Sequence, residues 1–122
     1  MNNPNYRDLL NELYKHRATE VNWSDMYLNT ALSSAAIPEL PGVYMYLSPI
    51  RLNGKYDVIY AGQANNLKRR FREHLRDIDR RIVLARHFIY SYEPKQTQRD
   101  YTESALIKYY QPISNDKLKR TI

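Results

Sequence analysis

Cysteine is absent from the 122-residue chain, which removes disulfide bridges and thiolate metal sites and is compatible with a reducing compartment. Histidine occurs three times, as the widely scattered His16, His74 and His87, too dispersed a set for a zinc centre. No apolar run approaches the roughly 18 residues of a membrane span. The opening MNNPNYRDLL has neither the basic nor the apolar region of a signal peptide. A soluble, intracellular (cytoplasmic) protein with no membrane partner is expected. Nor is there an internal repeat, a low-complexity segment, a linker, or the carboxylate cluster that a two-metal site needs. The length suits one compact domain.

Hydrophobic residues make up 43% of the chain and charged residues 26%, enough apolar material for a core. The net charge is +6 and it is concentrated. Residues 61–90 hold eight Lys/Arg against three Asp/Glu. A basic stripe of this kind is the footprint of a polyanion, although a solvated helix face made basic for solubility reads equally well on charge alone. Twelve tyrosines tilt the balance toward nucleic acid, because aromatic rings beside basic groups stack on bases. Most of them are still expected in the core or on half-buried strands.

The pattern predicts an N-terminal helix over 5–18, with Leu9, Leu10, Leu13, Tyr14 and Arg17 on one side. A second helix is predicted from an N-cap at Ser24, with Tyr27, Leu28, Ala31, Leu32 and Ala35 as its stripe and Pro38 and Pro41 ending it. Residues 42–47 and 56–61 are rich in β-branched and aromatic types and read as strands. Asn53-Gly54 between them signals a hairpin. A regular two-residue turn there would put Tyr44 and Tyr60 on opposite faces. A shared site therefore requires an odd-residue bulge or a three-residue loop, with Ser48-Pro49 as the natural place. Asn65 or Asn66 caps a basic helix whose buried stripe is Leu67, Phe71, Leu75 and Ile78. Arg70 and His74 lie one turn apart at the edge of that stripe. Lys68, Arg69, Arg72 and Arg76 face outward as candidate phosphate contacts. Residues 86–92 alternate as a third strand. Thr97 with Asp100 marks a weak helix start, followed by a stripe of Tyr101, Ala105, Leu106 and Tyr109, with Glu103 on a different side. The tail from Asp116 is polar and basic.

Tyr44, Tyr60, Arg70, His74 and Glu103 form a set suited to attack on a phosphodiester. The attacking oxygen must lose a proton, the developing charge must be offset, and the leaving oxygen must be accommodated. Arg70 is suited to the second task. Glu103 suits one hard divalent ion whose remaining positions are filled by other oxygens. A tyrosine serves as base only with a lowered pKa, or as a relay. Taken singly, each residue has a plain reading as a core, boundary or surface group. Composition and periodicity support a basic α/β domain that binds nucleic acid, and stop there.

Four ordered blocks carry the argument further. Gly42-Val43-Tyr44, Tyr60-Ala61-Gly62, the run GQANNLKRRFREH at 62–74 and the run ESALIKYYQPISN at 103–115 together resemble the GIY-YIG nuclease superfamily from about Pro41 to Asn115. Two departures are an alanine, Ala61, where isoleucine is usual, and a long spacer between the two tyrosines. The resemblance implies an α+β fold: a small three-stranded antiparallel sheet flanked by helices in residues 41–122, with an N-terminal helical extension in residues 1–40. It also implies a metal-dependent DNA endonuclease. In that reading Tyr44 is the general base or its relay, Tyr60 orients water or phosphate, and Arg70 and His74 stabilise charge. Glu103 is the sole protein carboxylate on one Mg2+ or Mn2+ ion per active site. Asn115 shapes the site by hydrogen bonds, and Gly42 and Gly62 permit close backbone geometry. The alternative is a non-catalytic nucleic-acid-binding or accessory module on the same fold. RNA as the polymer, and a homodimer or a recognition partner, stay open.

Overall fold

The computed structural model describes residues 6–115; the polar tail from Asp116 lies outside them. Four strands are found among the described residues: β1 (Tyr27–Leu28), β2 (Gly42–Leu47), β3 (Val58–Ala64) and β4 (His87–Tyr92). They form one antiparallel sheet in the order β1-β4-β2-β3. The helices are α1 (Tyr6–Thr19), α2 (Leu67–His74), α3 (Arg80–Val83) and α4 (Gln96–Tyr110). No described helix is long and apolar enough to cross a membrane.

Strand β2 is buried at every residue because helices cover both sheet faces. Alternation sends Tyr44 and Tyr46 to one face and Val43, Met45 and Leu47 to the other. The first face packs with Phe88, Ala64 and Ile37 beneath Leu67 and Phe71 of α2 and Ile82 of α3. The second packs with Ala61, Ile89 and Ala18 against Leu106 of α4, with Trp23 as a partly buried packing residue.

The expected sheet lacks one strand, and the expected second helix does not form. Ser24 is not a helix cap. Its N–H donates to Tyr90 O at 2.7 Å and its Oγ accepts from Tyr90 N–H at 3.0 Å, so residues 24–28 line the open edge of β4. Tyr27 pairs with Phe88 and stacks on Tyr90 at 6.1 Å. Satisfying an edge strand outweighs a modest helical pattern. Ala31–Ala36 is a short 3-10 helix with nothing buried, and Leu32 is 91% exposed.

Three apolar stripes also need correction. Leu9 and Leu13 of α1 are exposed, leaving Leu10, Tyr14, Arg17 and Ala18 as the inner side. Helix α2 ends at His74, so Ile78 lies beyond it and is 96% exposed, its core place taken by Ile82. Helix α4 starts at Gln96 without a side-chain cap, and its buried positions are Arg99, Thr102, Ala105 and Leu106 rather than Tyr101 and Tyr109. Two of those positions are polar because α1 and the neighbouring loops satisfy them. Arg17 donates to Thr102 Oγ1 at 2.7 and 3.0 Å.

The hairpin resolves the tyrosine question. Gly54 N–H donates to Arg51 O and Arg51 N–H to Lys55 O, both at 2.9 Å, with Gly54 at φ 78°. The loop is therefore the three residues Leu52-Asn53-Gly54, with glycine supplying the left-handed position. An extra residue does lie between Ser48 and Arg51, where Ser48 pairs with Asp57. A second, Ile59, bulges from β3 between the pairs Tyr46–Tyr60 and Leu47–Val58. The two irregularities cancel. The odd loop length is what sets Tyr60 opposite Tyr46, on the same face as Tyr44.

Candidate active site

Tyr44, Tyr46 and Tyr60 meet His74 beneath the C-terminal turn of α2. Tyr44 is 5.6 Å from the imidazole by ring centroids, Tyr46 5.4 Å and Tyr60 5.3 Å. Asn66 caps α2 by accepting from Arg69 N–H at 3.0 Å, which fixes the helix phase that turns His74 inward and leaves Arg70 half-exposed beside Glu73. The Tyr44 hydroxyl and His74 Nε2 are 2.8 Å apart. His74 Nδ1 lies 2.6 Å from Asp77 Oδ2. Both imidazole nitrogens are thus engaged within the protein.

Gly62 makes this packing possible. A Cβ there would meet Tyr44 Oη at 2.6 Å, Tyr44 Cζ at 2.7 Å and Tyr60 Cε1 at 2.9 Å. At Gly42 a Cβ would meet Ser91 O at 2.2 Å. Both positions are closed to side chains by neighbours in the sheet. Asn115 closes the outer edge of β3: it accepts from Ala61 N–H at 2.9 Å and donates from Nδ2 to Ala61 O at 3.0 Å. One buried side chain thereby stands in for a further strand, between Tyr60 and Gly62.

Glu103 approaches the same edge from the other layer. Gln63, next to Gly62, donates to Glu103 Oε1 at 3.3 Å and to Asp100 Oδ1 at 2.6 Å. Its own Oε1 accepts from Gln96 at 2.8 Å and from Arg99 Nε at 3.4 Å. Among the described residues no group of three or more His, Cys, Asp or Glu converges as a metal cage.

The electrostatics follow from burial. Desolvation above all, then Tyr60 and Tyr46, pushes the Tyr44 hydroxyl well above its ordinary value, with Arg70 opposing and Glu103 adding. Tyr60 is raised by burial and then by Glu103. Tyr46 is raised by burial and then by Asp77, and its Oη has no hydrogen-bond partner among the described residues. His74 is lowered by burial, against Asp77. Glu103 is raised by burial, against its hydrogen bond from Gln63.

The structure thus gathers Tyr44, Tyr60 and His74, with Arg70 at the rim and Glu103 within electrostatic reach. Arg69, Arg72 and Arg76 stand apart on the exposed side of α2 and the turn after it, while Lys68 is half-buried. The sequence reading missed Tyr46, Gln63, Asp77 and Arg99. Tyr46 was signalled by its two-residue offset from Tyr44, and Asp77 by its three-residue offset from His74. Gln63 and Arg99 meet only through the fold.

One face of the small antiparallel sheet thus packs phenols against the imidazole of His74, and the carboxylates of Glu103 and Asp100 meet Gln63 on its edge strand. The GIY-YIG catalytic domain model matches residues 40–118, and the chain belongs to that family. Curated relatives include the UvrABC system protein C of Methanosphaera stadtmanae, 37% identical over 91 residues, and that of Oleidesulfovibrio alaskensis, 35% identical over 92. The alignments cover 68% and 70% of this chain but only 14% and 12% of those proteins. The GIY-YIG N-terminal endonuclease domain of UvrC from Thermotoga maritima, bound to its catalytic divalent cation, magnesium, matches with a TM-score of 0.57 at 25% identity. That match covers 69% of this chain and 92% of the solved one.

Proposed function

We propose that this chain is a metal-dependent endonuclease hydrolysing phosphodiester bonds in DNA, its catalytic domain being residues 41–122 and residues 1–40 an extension packed on it. The observation that carries the reading is the buried 2.8 Å contact between Tyr44 Oη and His74 Nε2, beside Arg70 and Glu103 in a family of nuclease domains.

Glu103 fits one hard divalent cation. A single half-buried carboxylate, outside any cage of ligands, matches an ion that completes its shell with other oxygens, as magnesium does. The magnesium bound by the T. maritima domain supports the same choice here, with Mn2+ as a substitute. When bound, the ion supplies positive charge to the phosphoryl group. Tyr44 is held protonated by its surroundings, which favours a relay over a resting phenolate base. Its hydroxyl takes a proton from the attacking water while its own passes to His74 Nε2, a task worth about 10²–10⁴ in rate. His74 then serves Tyr44, and the offsetting of phosphoryl charge falls to Arg70, whose loss costs roughly 10²–10³. Tyr60 orients the water or phosphate. Asn115, Gly42 and Gly62 hold the strand geometry on which both tyrosines depend.

The test is plasmid nicking with magnesium or manganese, comparing the wild type with Glu103→Ala and an EDTA control. Nicking by the wild type alone is the expected result. If neither protein cuts supercoiled, linear, branched or single-stranded DNA while both bind it equally, the chain is a non-catalytic binding module.

A further inference from the structure

Asp77 lies three residues past His74, just beyond the end of α2. Its N–H donates to His74 O at 3.1 Å. Its Oδ1 accepts from Asp79 N–H at 2.8 Å, and its Oδ2 faces His74 Nδ1 at 2.6 Å. The side chains of His74 and Asp77 are 8% and 18% exposed. The carboxylate is therefore fixed at both oxygens and largely shielded from water. A carboxylate only accepts, so Nδ1 must carry the proton that joins the two. Nε2 of the neutral ring is then left as an acceptor, and the group in front of it is the Tyr44 hydroxyl. Tyr44, Tyr46 and Tyr60 pack around the ring, so it has little freedom to flip.

We infer that Asp77 is a positioning residue for hydrolysis, holding His74 in the one tautomer that can receive the Tyr44 proton. The inference rests on the relay proposed above and adds its third member. In the step it supports, the water oxygen bonds to phosphorus and the water O–H bond breaks. That proton goes to Tyr44 Oη as the Tyr44 proton goes to His74 Nε2. The phosphorus bond to the leaving oxygen breaks with its electron pair on that oxygen, which takes a proton from solvent. Asp77 stays ionised and faces the imidazolium. Nothing is oxidised or reduced.

Asp77→Asn keeps the shape and an acceptor for Asp79 N–H, but it presents an amide N–H to Nδ1 and so favours the opposite tautomer. The expected result is a fall in kcat of about 10²-fold or more, with KM and DNA affinity within twofold of the wild type. Nitrogen-15 NMR of the His74 ring should report Nδ1–H in the wild type and Nε2–H in the variant. In a His74→Ala background, Asp77→Asn should lower kcat no further, because a residue acting only through His74 has nothing left to position. If Asp77→Asn folds poorly, Asp77→Ser replaces it, its hydroxyl keeping an acceptor in the turn. The same Nδ1–H tautomer in both proteins, an unchanged kcat, or an equal loss in the His74→Ala background overturns the inference. If the wild type does not cut at all, the nuclease reading fails on its own, and the NMR comparison still decides whether Asp77 governs His74.

Discussion

Burial raises the Glu103 carboxyl above its ordinary value, against the hydrogen bond from Gln63 and with Asp100 pushing the same way. A raised acid binds its proton more tightly in the folded state than in the unfolded one. Above the folded-state value both states are ionised, and the folded protein carries the full cost of holding that charge out of water. As pH falls toward the unfolded value of 4.5 both states become protonated and the cost disappears. Glu103 therefore weakens the metal-free fold at neutral pH. Glu103→Gln, which keeps an acceptor for Gln63, should melt about 1–4 °C above the metal-free wild type at pH 7.5. The gap should close as the pH approaches 4.5. Melting curves across that range check it, and a gap that stays constant or has the opposite sign contradicts the account.

Helix α4 reaches the site through Arg99, one turn before Glu103. Arg99 is 4% exposed. Its guanidinium donates to Glu93 O at 2.9 Å, Pro94 O at 3.0 Å, Asn65 Oδ1 at 3.0 Å and Gln96 Oε1 at 2.8 Å. One side chain thus ties the start of α4 to the loops before α2 and after β4. Lysine keeps the charge but cannot span this fork, so Arg99→Lys should cost about 1–3 kcal/mol by losing hydrogen bonds from a charged group and leaving a buried ammonium short of acceptors. It should also slow cleavage by loosening the turn that carries Glu103. Urea denaturation reads the first effect and nicking the second; an unchanged midpoint would remove Arg99 from this role. The contrast with the hairpin shows what a sequence can reveal. Residues 42–47 and the Asn53-Gly54 turn were legible because strand type and turn chemistry are local, and the problem of two tyrosines on one face could be posed by counting residues. A cap at Asn65 or Asn66 was legible for the same reason, whereas Arg70 and His74, both placed at the edge of the stripe, part in the structure, His74 buried and Arg70 half-exposed. Ser24 was misread because its partner, Tyr90, is 66 residues away and its local signal is that of a helix cap. The Arg99 and Gln63 hydrogen bonds join α4 to β3 and the β3–α2 loop, contacts that no periodicity encodes.

At the scale of the whole molecule the question is where its charge goes. The net charge of +6 comes mostly from residues 61–90. Arg69, Arg72 and Arg76 line an open groove with Ala31 and Ser34, between α2 and the 3-10 helix. Glu73, the acid of that groove, is 3.6 Å from Arg70. Arg69 and Arg72 lie on the exposed side of the helix that carries Arg70 and His74, and Arg76 lies in the turn after it. If they neutralise phosphates, log K for DNA falls linearly with log salt, and each arginine replaced by glutamine reduces the slope by about 0.9. Cleavage at saturating DNA should be unaffected, because none of the three belongs to the buried cluster around Tyr44. Binding measured from 50 to 200 mM salt for the wild type and the three single variants is the test. Slopes that ignore the substitutions would mean the groove does not meet the backbone, and binding insensitive to salt would mean the basic stripe is only a solvated face.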